Sequence, residues 1–161
     1  MSTLKVNSII PVAGVPTGGG GGIIQVKRVV LTSGTMSTSS TSFVDITGLS
    51  VDITPTSTSS KILVFFMGGE FGMYSGGAYY ATVQLLRDST ELFNSGGNVV
   101  TSREGSGNQQ SNMSFSILDS PNTTSQITYK GQVKSSSSSK TVYVTNSGAG
   151  FPSITVMEVS A

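Results

Sequence analysis

Apolar and polar residues alternate with a period of two through much of the chain's second half. Met113, Phe115 and Ile117 interleave with Asn112, Ser114 and Ser116. Ile127, Tyr129 and Val133 interleave with Thr128, Lys130 and Lys134, and Val142 and Val144 share one face of 140–145. Successive side chains of a strand point to opposite faces, so this alternation marks half-buried strands. The same reading predicts strands over 23–31, 43–46, 49–53, 61–67, 78–87, 91–93, 112–118, 125–134, 140–145 and 154–159. Thr47–Gly48 separates 43–46 from 49–53, Pro55 ends the second of these, and Asp88–Ser89–Thr90 is a turn between two more. No window carries an apolar stripe at helical spacing over a helical length. Eight or more short strands at this spacing predict an all-β fold, an antiparallel β-sandwich or jelly roll.

Two of these strands are too apolar for an isolated sandwich. Ile62–Leu63–Val64–Phe65–Phe66–Met67 offers apolar side chains to both faces and predicts a strand buried on both. In 78–87, one face carries Tyr79, Ala81, Val83 and Leu85, and the other carries Tyr80, Thr82, Gln84 and Leu86. A lone sandwich leaves one wet face on each sheet. Either a neighbouring subunit or crossing loops of the same chain must therefore cover the second face. The first alternative places Phe66, Tyr80 and Leu86 at a subunit interface, with closed rotational symmetry as the default.

The clearest internal boundary is the run Gly18, Gly19, Gly20, Gly21 and Gly22. Five glycines form a flexible tether with a reach of ~12 Å. Such a tether divides the chain into an N-terminal docking arm (1–17), a glycine hinge (18–22) and a β-sandwich head (23–161); a plain surface loop inside one domain is the alternative. Leu4, Val6, Ile9 and Ile10 are the apolar residues of the β-prone arm. A phosphate-binding loop would need Lys and Ser or Thr after the glycines. Ile23 and Ile24 follow instead.

Composition narrows the chemistry. The chain has 161 residues, only 11% of them charged, and 29 Ser with 19 Thr. That many hydroxyls make a neutral, polar surface and disfavour long helices. No His and no Cys are present. Their absence removes thiolate nucleophiles, histidine-assisted catalysis, zinc fingers and disulfide frameworks. The net charge is +1, with no basic stripe to neutralise phosphates, so nucleic acid is not an expected partner. The longest apolar run, 62–67, is too short to span a membrane, and the N-terminus lacks the pattern of a secretory signal. Ser135–Ser139 reads as a solvated hairpin loop.

An enzyme built on this chain would have eight carboxylates to work with: Asp45, Asp52, Glu70, Asp88, Glu91, Glu104, Asp119 and Glu158. A glycosidase needs two of them facing each other across a cleft. No pairing is visible in the sequence, and most of these acids fall at strand ends or turns, so no catalytic residues, metal or cofactor are expected. Receptor contact is the stronger candidate, because loops on a rigid sandwich carry function. Phe71 and Tyr74 in 68–77, Arg103 and Asn108 in 94–112, and Phe151 in 146–152 combine aromatic faces with amide or guanidinium donors. Rings pack on sugar C–H groups while amides bond hydroxyls, which suits a bacterial surface polysaccharide. The alternative is that these aromatics plug the ends of the sandwich or sit between subunits.

The phrases TLKVNSI, TSFVDITGLSVDITPTSTSSKILV, VQLLRDSTEL, ILDSPNTTSQITYKGQV and SITVMEV, in this order, span most of the chain. Together they resemble a family of small phage virion proteins found in tail fibres and related surface proteins. The resemblance implies a homotrimeric jelly-roll head, similar to complement and tumour-necrosis-factor heads. It also implies an N-terminal segment that docks on another phage structural protein of tail or capsid. The implied role is host attachment as a tail fibre or fibre-like appendage on the virion surface, assembled in the host cytoplasm. No long shaft and no heptad repeats separate arm from head, which keeps a second role open, that of a capsid decoration protein stabilising the shell.

Overall fold

The computed structural model describes residues 22–32, 34–73, 79–96, 100–102, 109–145 and 151–160. Their strands are β1 (Ile23–Val30), β2 (Met36–Thr38), β3 (Val44–Ile53), β4 (Lys61–Met73), β5 (Tyr79–Arg87), β6 (Thr90–Asn94), β7 (Val100–Ser102), β8 (Gln109–Asp119), β9 (Ile127–Ser135), β10 (Val142–Thr145) and β11 (Ser153–Val159). Every pairing between them is antiparallel. The larger sheet runs β1-β11-β4-β10-β2, with β8 on the other side of β4. The smaller runs β3-β9-β5-β6, with β7 also paired to β5. The fold is thus the expected all-β antiparallel sandwich. Residues 1–17 and Gly18–Gly21 lie outside the described residues. Gly22, the last residue of the predicted hinge, is held by the end of β11: its N–H donates to Ser160 Oγ (2.9 Å) and its C=O accepts from the Ser160 N–H (3.1 Å).

Two β-bulges account for the largest departures from the sequence pattern. The segments 43–46 and 49–53 form one strand, β3, whose register slips between Asp45 and Ser50. Gly48 sits there at φ +80°, where a side chain would be strained. Five steps on β3, from Asp45 to Ser50, face two on β9, from Gln132 to Lys130, and this odd surplus exchanges the faces, so Ile46 points inward before it and Leu49, Val51 and Ile53 after it. The same device extends β4. The sequence ended this strand at Met67 and predicted a flexible loop from Gly68. Instead the chain stays in the sheet to Met73, with a register shift between Met67 and Glu70. Gly69 adopts φ +66°, and any Cβ there would meet the Pro152 ring at 2.6 Å. Ile62, Val64 and Phe66 face inward before the bulge, and Phe71 and Met73 after it.

The core lies between the two sheets. Phe66 occupies its middle, fully buried, against Gly131 of β9 and stacked on Phe115 at 4.9 Å between ring centroids. Phe115 stacks in turn on Phe93 of the smaller sheet at 4.0 Å, which joins the layers near β8 and β6. Each such large apolar side chain contributes ~1.5–3 kcal/mol by leaving water. β2 and β7, each three residues long, were not visible as strands in the sequence, because three residues are too few to show a period.

Candidate functional site

The described acids are used as internal fasteners. Asp119, at the end of β8, takes Arg87 Nη1 on both oxygens at 2.7 Å, the Tyr129 hydroxyl at 2.7 Å and the Ser120 N–H at 2.8 Å. Arg87 and Tyr129 belong to the smaller sheet, so this cluster ties the two sheets at one end. Burial first, and the Asp119 carboxylate second, push the Tyr129 phenol far above its ordinary value, which keeps it a donor. Asp45 accepts from Gln132 and Lys130, Asp52 from Gln126 and Thr128, and Asp88 from the Thr128 N–H. Glu91 accepts from Asn94, and Glu70 from Gln110. Glu104 lies outside the described residues.

Glu158 is the most enclosed of the described acids, with no exposed surface. Its carboxylate accepts from Gln25 Nε2 at 2.6 Å and from both the N–H and the Oγ1 of Thr56 at 2.7 Å, which ties the 54–60 turn to β11. Burial pushes its pKa up, but the hydrogen bonds from Gln25, Ser60 and Thr56 together outweigh burial and hold it below the ordinary 4.5. The native state therefore binds this proton less readily than the unfolded chain. Its stabilisation is complete above the unfolded pKa and is lost as pH falls through the native one. Glu158→Gln is expected to flatten the acid limb of stability against pH, measured by urea melts from about pH 6 down to about pH 3. An acid limb equal to that of the wild type would rule out this role.

The two outer faces differ sharply. On the larger sheet, register places Val26, Met157, Leu63 and Leu118 side by side across β1, β11, β4 and β8. Phe65 and Met67 follow along β4 on the same face. Val26 is 51% exposed, Phe65 39%, Met67 50% and Leu118 61%. An open hollow of about 600 Å³ lies here, lined on the outer face by Phe65, Met67 and Met157 with Ser114, Ser116 and Thr155. Arg28 is its one charged lining residue among those described. The smaller sheet presents polar groups instead. Gln84 donates to Gln132, which donates to Asp45 at 2.5 Å, and Lys130 and Thr128 lie beside them. Asp45 is held below its ordinary value chiefly by the Gln132 hydrogen bond, with Lys130 assisting against some burial.

The sequence-predicted contact residues scatter across these surfaces. Phe66 is not on a surface at all: strand parity sends it into the core, and its neighbours Phe65 and Met67 face out. Leu86 is 9% exposed, covered within its own chain, whereas Tyr80 stands 39% exposed on the outer face of the smaller sheet. Phe71 is fully buried, because the bulge at 68–69 turns it inward. Phe151 is 51% exposed. Tyr74, Arg103, Asn108 and the arm residues Leu4, Val6, Ile9 and Ile10 lie outside the described residues. Leu118 and Val26, which the sequence reading did not single out, belong to the apolar row. Leu118 was detectable: two adjacent apolar residues, Ile117 and Leu118, break the alternation of β8 and place one of them outside.

No family model matches the sequence, and no curated protein matches it. Among solved structures, chains of infectious bursal disease virus are similar over most of this chain. The Gx strain structure matches with a TM-score of 0.37 and 17% identity, covering 84% of this chain and 36% of the viral one. The Gt strain structure matches with 0.37 and 17%, covering 85% and 38%. The chain thus spans little more than a third of the length of these viral chains.

Proposed function

We propose that this chain is a non-enzymatic structural protein of a phage virion. Its head is a homotrimeric sandwich, its arm docks on another phage structural protein, and its outward surface serves host attachment. The observation that carries the non-enzymatic reading is the employment of the acids. Seven of the eight carboxylates accept hydrogen bonds from the chain's own side chains or backbone. A general acid or nucleophile must instead be aimed at a substrate. The polar outer face of the smaller sheet supports attachment, since Gln132, Asp45, Lys130 and the Tyr80 ring offer the donors, acceptors and flat apolar surface that sugars pair with. The virion assignment rests on the quoted sequence phrases.

Quantitative mass spectrometry of purified particles tests this reading. A few trimers per particle, located at the tail by antibody labelling, is the expected result. Hundreds of copies on the shell would replace attachment with decoration. Absence from purified particles would overturn the virion reading.

A further inference from the structure

The outer face of the larger sheet is an apolar surface that its own described residues leave open. Antiparallel sheets normally show polar side chains on the wet side. Here the row Val26–Met157–Leu63–Leu118 and the neighbours Phe65 and Met67 form one continuous patch across four strands. Large exposed patches of this kind mark interaction surfaces. We propose that a second copy of this chain covers this face. The inference rests on the oligomeric head proposed above and names its contact surface, in place of Phe66 and Leu86.

Area and charge both favour a copy. Four strands at ~4.8 Å spacing and seven residues, Lys61 to Met67, at ~3.4 Å rise give a footprint of roughly 450 Å². Two copies contribute twice that footprint, and corrugated side chains carry more accessible surface than footprint. The contact thus reaches the ~1,000 Å² that separates specific interfaces from incidental ones. Charge on this face is sparse. Arg28 borders the hollow, and Lys61 at the other end donates to Ser120 Oγ at 2.8 Å. With a net charge of +1, copies approach without strong repulsion. The hydroxyls of Ser114, Ser116 and Thr155, in the rows beside the apolar one, offer acceptors to a neighbour's Arg28. A lipid surface is disfavoured, because anchoring by an apolar face this small needs a cluster of Lys and Arg around it.

The test uses the full chain and two single substitutions on different strands, Leu118→Glu and Val26→Glu. Both sites are more than half exposed, so neither change removes core packing. Sedimentation at micromolar concentration, with thermal melts as the folding control, is expected to show a multimer for the wild type and folded monomers for the variants. A wild-type monomer would overturn the oligomeric head and this surface together. A wild-type multimer whose folded variants keep the same mass would overturn this surface alone and leave the oligomeric head standing. Should a variant fail to fold, Leu118→Cys gives an independent readout, because the chain has no other cysteine. Slow maleimide labelling of the multimer that rises at least tenfold on dilution to monomer supports the proposal, and fast labelling of the intact multimer overturns it. Sedimentation with neutral and anionic phospholipid vesicles completes the set: binding that Leu118→Glu abolishes, from a monomeric wild type, would assign the face to lipid.

Discussion

Replacing Asp119 with alanine is expected to lower the stability of the sandwich by ~3–5 kcal/mol, the cost of breaking a buried ion pair from one side. Asp119 is 8% exposed and Arg87 19%, so water can replace little of what the carboxylate supplies. The loss falls on three groups at once. Arg87 keeps its charge without its partner, the Tyr129 hydroxyl is left unpaired in a buried site, and the Ser120 N–H loses its acceptor. Because these groups come from both sheets, the damage is to the sandwich rather than to one strand. For a domain of this size the melting temperature should fall by roughly 10 °C. Tyr129→Phe removes one donor and should cost only ~1 kcal/mol. Equal, small losses for the two variants in denaturant melts would show that the cluster does not hold the sheets together.

Phe66 should behave as a core residue, not an interface residue. Phe66→Ala is expected to cost ~3–5 kcal/mol through lost burial and the cavity left beside Phe115. Any loss of the proposed oligomer should follow unfolding rather than precede it. Gly131 lies against its ring: a Cβ there would lie 2.8 Å from Phe66 Cε2 and 3.1 Å from Leu49 Cδ2. Gly131→Ala should therefore cost ~1–3 kcal/mol by overpacking, since a buried ring cannot swing aside. In the Phe66→Ala background that penalty should shrink, because the closest contact is gone and only Leu49 still crowds the new methyl. A double-mutant cycle reads the difference directly. Additive losses would mean that the ring and the glycine do not share the space described.

Wherever the outcome depended on neighbours along the chain, the pattern of residues was enough. Alternation in 112–118 and 125–134, with Gly, Pro and Asp at the turns, determined an all-β antiparallel chain; β8 covers the first segment and β9 the second from Ile127 on. The excess of apolar residues in 62–67 was also a true signal, since β4 leaves Phe65 and Met67 outside while burying Ile62, Val64 and Phe66. Which residue pointed which way was not available from that run, because an unbroken apolar sequence has no alternation from which to read parity. The irregularities at Gly48 and Gly69 decided it, and at each the space for a side chain is taken by a residue distant in sequence, Leu31 in one case and Pro152 in the other. The same holds for the apolar row of Val26, Met157, Leu63 and Leu118. Its members are scattered over more than a hundred positions, and only the antiparallel register of four strands brings them onto one face. Local side-chain pattern therefore determined that this chain forms strands and how polar its surface is, whereas the pairing of distant strands alone decided which side chains meet, because register is set by cooperative packing across the whole sheet.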